Sequence, residues 1–121
     1  MKAEIKALHS PDVHDLRTFK PTKRDNFGFL LQLIVGPQGE MGEESFDMIV
    51  CTPKWLEENY SINEVIFGRH YLIVFKYDYE GIYKKISNYI GKIEEPTWNE
   101  VAQKIGRIGH WEFEDYKDEY E

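Results

Sequence analysis

The chain has 121 residues, 41% apolar and 15% aromatic, with 22 acids against 15 bases for a net charge of −7. That is one domain, residues 1–121, with enough large side chains for a substantial core, which excludes a disordered chain. A pI near 5.1 excludes the basic footprint of a general nucleic-acid binder.

The single cysteine, Cys51, cannot form an internal disulfide and fits a reducing compartment. No apolar run approaches a membrane span, and Met1 to Lys6 carries no apolar leader. A cytoplasmic protein without membrane contact is expected.

In chain order, residues 3–9 alternate and predict a short strand, with Ala3, Ile5 and Ala7 on one face. Residues 10–26, with Pro11 and Pro21, predict an irregular connection containing one helical turn near Asp12 to Leu16. Phe27 to Val35 is the strongest strand signal. Phe27, Phe29, Leu31, Leu33 and Val35 share one face, and Leu30 and Ile34 lie on the other, as in a central strand. A glycine-rich turn over 36–42 leads to a returning strand over 44–51, giving an antiparallel hairpin with an acidic tip at Glu40, Glu43 and Glu44.

Thr52-Pro53 predicts the start of a short helix over 53–60, since threonine caps free N–H groups and proline suits the first helical position. Residues 61–67 fit neither period, and Gly68 breaks them. Arg69 to Tyr77 predicts a strand covered on both faces. From Tyr79 to Ile93 the period changes: Ile82, Ile86, Tyr89, Ile90 and Ile93 form a helical stripe. Thr97-Trp98-Asn99-Glu100 reads as a capping box before another helix, which buries Trp98, Val101, Ala102 and Ile105. Trp111 to Tyr116 alternates aromatic with acid and predicts a last strand, with Trp111 and Phe113 turned to the core. The fold expected is α+β: a largely antiparallel sheet of about five strands, with two longer helices and one short helix packed mainly on one face.

Chemistry is sparse. His9, Asp12 and His14 have metal-ligand side chains, but their spacing matches no standard site and Pro11 prevents a regular helix. Cys51 could pair with His70 or His110 as a nucleophile, yet it lies among residues that read as buried, where a thiol is inert. The glycines of 36–42 lack the lysine and following helix of a phosphate loop. No catalytic residue, metal or cofactor is expected.

Four segments carry a resemblance: Asn26-Phe27-Gly28-Phe29, Glu44-Ser45-Phe46-Asp47, Cys51-Thr52-Pro53-Lys54-Trp55-Leu56 and Trp111-Glu112-Phe113-Glu114-Asp115-Tyr116. Together they resemble the immunity protein 8 family over nearly the whole chain. The resemblance implies a non-enzymatic bacterial antidote, encoded beside a polymorphic or contact-dependent inhibition toxin, that binds and neutralises the toxin's C-terminal domain. It assigns no binding residues. A nuclease toxin is our expectation, because an acidic protein can fill a basic substrate groove with carboxylates in place of phosphates.

Two acidic surfaces are therefore the candidates. One is Glu112, Glu114, Asp115, Asp118 and Glu119 with Tyr116 as an anchor. Residues 111–121 hold six acids against one lysine and so carry most of the chain's negative charge. The other is the hairpin tip, Glu40, Glu43 and Glu44. The competing readings are solvated edges that guard a strand against aggregation, a small metal- or thiol-dependent hydrolase, and a structural or regulatory binding subunit. A homodimer is compatible with the sequence but not indicated by it.

Overall fold

A computed structural model describes residues 1–114. Its centre is the predicted hairpin. Strand β2 (Gly28–Pro37) pairs antiparallel with β3 (Glu44–Cys51) over eight residues, with Leu33 opposite Phe46 and Phe29 opposite Val50. The alternation works as a strand period requires. Phe29, Leu31, Leu33, Val35, Phe46, Met48 and Val50 all point into the core, and Phe27 joins them.

Strand β1 (Ala3–His9) adds antiparallel to β2. Its register shifts between Ile5 and Ala7. An extra residue in one strand reverses the side-chain alternation beyond it. Ala3, Ile5 and Leu8 therefore face the core while Ala7 is exposed, where simple alternation expected Ala7 inward. After β1, the connection forms a turn at residues 16–18 rather than a helical turn over Asp12 to Leu16. Val13 and Leu16 are the residues it buries. Asp12 Oδ2 accepts the Leu30 N–H at 2.9 Å, serving part of β2 that β1 does not reach.

The rest of the chain closes this sheet. Helix α1 (Pro53–Asn59) starts at Thr52, whose hydroxyl accepts the Trp55 N–H at 3.3 Å. Trp55 lies against Gly28, where a Cβ would come within 2.3 Å of the indole. Gly28 thus makes room for the short helix on the face opposite Phe27 and Phe29. Strand β4 (Tyr71–Ile73) then pairs parallel with β3, making the largely antiparallel sheet mixed. Parallel neighbours need a crossover connection, and α1 with the loop that follows supplies it.

Helices α2 (Tyr79–Gly91) and α3 (Trp98–Ile105) cover the core face with Ile82, Ile86, Ile90, Val101, Ala102 and Ile105. The predicted capping box is present, with Thr97 and Glu100 satisfying each other's backbone N–H. Tyr89 donates to the Lys104 carbonyl at 2.7 Å and ties the two helices together. Strand β5 (His110–Trp111) pairs with Phe46 and Asp47 of β3.

Two sequence expectations fail at the sheet's open side. The strand expected over Arg69 to Tyr77 is only three residues long, and it is not covered on both faces: Ile73 and Phe75 are exposed. The strand expected over Trp111 to Tyr116 stops at Trp111, because the Glu114 N–H turns back to the Trp111 carbonyl at 2.9 Å. Trp111 is buried against Phe46, but Phe113 is 41% exposed and meets the edge of the Trp111 ring. In this segment alternation reflected an aromatic-acidic composition rather than a pleat.

Candidate functional site

The described members of the two expected acidic surfaces, Glu112 and Glu114 on one side and Glu40, Glu43 and Glu44 on the other, lie at one end of β3. Pairing of Phe46 with Trp111 brings the start of β3 beside the turn after β5. Glu44 accepts the Trp111 indole N–H at 2.7 Å, and the Ser45 N–H reaches the Glu112 carboxylate at 3.5 Å. Glu40 and Glu43 are exposed on the hairpin turn, and Glu112 is exposed beside it. Lys6 enters this edge, holding Glu4 at 2.6 Å and the Glu40 carbonyl at 3.0 Å. The Lys6 ammonium, with the Gly39 N–H, keeps the Glu4 carboxyl below its usual range.

The candidates do not share one role. Glu40, Glu43 and Glu112 are presented to solvent. Glu44 is held by Trp111, and Glu114 by Arg69. These two position the edge before they can meet a partner. Asp115, Tyr116, Asp118 and Glu119 lie outside the described residues.

The Arg69–Glu114 pair joins this edge to a feature that periodicity left unassigned. Between α1 and β4, Ile62, Val65 and Phe67 are almost wholly exposed, at 98%, 97% and 105%. Their loop is locally built. The Ser61 N–H donates to Glu64 at 2.8 Å, the Glu64 N–H returns to the Ser61 carbonyl at 2.9 Å, and the Asn63 N–H donates to the Ser61 hydroxyl at 3.2 Å. These bonds close one turn over Ser61 to Glu64, with Ile62 inside it and Val65 directly after it.

The base of the loop is tied down at both ends. Tyr60 and Tyr71 hydrogen-bond through their hydroxyls, and Arg69 also reaches the Gly106 carbonyl. The Tyr71 hydroxyl is pushed up to about 12, first by that bond to Tyr60 and then by burial. Gly68 has φ 70°, and His70, unusually for a residue with a side chain, has φ 68°. That conformation costs about 1 kcal/mol or more. It points the His70 carbonyl at the Ile49 N–H, 2.9 Å away, while the ring bonds the Gly106 carbonyl at 2.7 Å. The signal for this loop in the sequence was four apolar residues in six positions, between a serine-glutamate turn and a glycine, with no period to bury them.

The catalytic alternatives gain little. Cys51 is 0% exposed, and burial raises its thiol above the ordinary range, which disfavours the thiolate. His70 and His110 rings are 5.7 Å apart, but His70 is committed to Gly106. Among the described residues, no group of three or more His, Cys, Asp or Glu is arranged to hold a metal ion. Among them also, no helix is long and apolar enough to cross a membrane.

What the geometry offers is a surface for a macromolecule: apolar anchors raised on a braced loop, beside an acidic sheet edge. Comparison with known families matches residues 3–116 to the family model described as Immunity protein 8. No curated protein and no solved structure gives a significant match.

Proposed function

The chain belongs to the Immunity protein 8 family, and on that premise we propose that it binds and neutralises the C-terminal toxin domain of a cognate polymorphic or contact-dependent inhibition toxin. Family membership supports an immunity role. The finer reading is ours. The protein acts in the cytoplasm of a bacterium and blocks the toxin's active or substrate-binding site by occupying it, without catalysis. The expected toxin is a nuclease with a basic groove.

The observation that carries this reading is the exposed trio Ile62, Val65 and Phe67 beside the acidic edge. Apolar side chains at full exposure on a braced loop contribute little to folding. Buried in a partner they are worth about 1.5–3 kcal/mol each. Protein interfaces have this composition, with apolar anchors at the centre and a polar rim. Glu40, Glu43, Glu44, Glu112 and Glu114 supply that rim, and Asp115, Tyr116, Asp118 and Glu119, which follow Glu114 in the sequence, are proposed as further toxin contacts on their residue types alone. Complementary charge speeds the encounter, and the apolar loop holds the complex.

Co-expression tests this reading. Cells producing the toxin domain encoded by the adjacent gene are expected to survive when they also produce this protein. Death at the same rate with and without it would contradict the proposal.

A further inference from the structure

A different surface lies along the outer edge of β4. In the parallel ladder with β3, the His70 carbonyl accepts from Ile49, and the Val74 N–H donates to Cys51, each at 2.9 Å. With Val50 opposite Leu72, that register directs the Leu72 amide and carbonyl toward β3. The N–H and C=O groups of Tyr71 and Ile73 therefore point away from the sheet. β4 ends the main strand path, and no further strand covers it among the described residues.

This edge borders a depression of about 510 Å³ between β4 and α2. Leu72, Val74 and Ile82 give it an apolar floor, and Phe75, 78% exposed, stands at its side. Arg24, Lys76 and Lys85 line it, against one acid, Asp78. Among the described residues none of these three cations has an ion pair. In a chain of net charge −7, three cations against one acid around one apolar groove are a local reversal of sign.

We infer that the β4 edge takes an extended, acidic segment of the toxin domain, added as a further strand with its apolar side chains over Leu72, Val74 and Ile82 and its carboxylates at Arg24, Lys76 and Lys85. The assignment to the toxin rests on the immunity reading; the chemistry of the segment rests on the groove. An open edge supplies backbone hydrogen bonds to an incoming strand, and alternate side-chain pockets supply selectivity. The free groups of Tyr71 and Ile73 repeat every second residue, as an extended peptide requires. A second copy fits poorly, because two-fold pairing of β4 with itself would bring the same cations together. The toxin is thus contacted twice: its basic region at the acidic edge and an acidic strand at this groove.

Amide exchange on the labelled protein, alone and with the purified toxin domain, tests the inference. The Ile73 amide should slow at least about tenfold in the complex, beyond any change at Leu72, which is already bonded. Lys76→Glu with Lys85→Glu should keep the melting temperature, since both side chains are exposed, and weaken binding at least about tenfold at low salt. If the wild type binds while Ile73 exchange is unchanged and the double variant binds equally well, the groove is not the site and the immunity reading stands. A wild type that neither binds nor protects contradicts the immunity reading itself and removes the toxin assignment. Slowing that grows with protein concentration without toxin would reveal self-pairing and overturn the inference. So would competition by inorganic phosphate at millimolar concentration, which would mark a simple anion site.

Discussion

The inner face of the central hairpin and the segment from Ser61 to Phe75 spend the same residue types in opposite ways. Leu33, Val35, Phe46 and Val50 are at 0% exposure, each opposed across the hairpin and part of one core cluster with the apolar residues of α2 and α3. Ile62, Val65, Phe67 and Phe75 have no such cover. The difference teaches where stability ends and recognition begins. The hairpin and its helices hold the fold, and the crossover demanded by parallel β4 carries the apolar surface that folding does not use.

The sharpest way to break the comparison is to truncate one residue on each side. Phe46→Ala removes a ring packed on Trp111 and should cost about 3–5 kcal/mol in urea unfolding. Phe67→Ala should leave unfolding within about 0.5 kcal/mol of wild type, yet weaken toxin binding by about 2 kcal/mol, roughly thirtyfold. Equal losses of stability would erase the distinction.

A smaller effect separates local helix chemistry from the core. Thr97→Ala breaks the capping box and should lower stability by about 1 kcal/mol with binding unchanged. Smaller still, Glu112→Lys should cost less than about 1 kcal/mol of binding, mainly through slower association, and flatten the salt dependence.

Tyr77 stands in the aromatic cluster of Phe19, Phe27 and Phe29 and donates to the Leu16 carbonyl. Burial first, then Tyr79 and Asp15, raises its hydroxyl from 10.0 to about 12. The folded state therefore keeps this proton longer than the unfolded chain does. Its contribution is complete below pH 10 and is lost as the pH rises through about 12. Tyr77→Phe should make the decline between these values shallower, as measured by urea midpoints, without abolishing it, because Tyr71 is also raised to about 12, first by its bond to Tyr60.

Much of this fold was legible in the sequence because period and chemistry agreed. The alternation from Phe27 to Val35, the isoleucine stripe of α2 and the Thr97–Glu100 box each point to one structure. Legibility failed where a long-range partner decides. Parallel pairing of β4 with β3 cannot be read from three residues, and the shift at Lys6 depends on β2. The acidic edge was visible as two separate charge clusters; only the pairing of Phe46 with Trp111 brings Glu44 and Glu112 together. The exposed loop was unreadable by periodicity because its apolar residues answer to no core. The groove cations, at 24, 76 and 85, are scattered in sequence and meet only through the tertiary fold.

In the proposed complex the loop between α1 and β4 holds the toxin while the core holds the protein. The most direct measurement is calorimetric titration of the purified toxin domain into the wild type and into an Ile62→Ser, Phe67→Ser variant, with melting curves for both. The predicted result is a saturable complex with the wild type and binding weaker by at least about a hundredfold, or about 2.7 kcal/mol, in a variant that melts as the wild type does. Wild-type affinity in that folded variant would contradict the account.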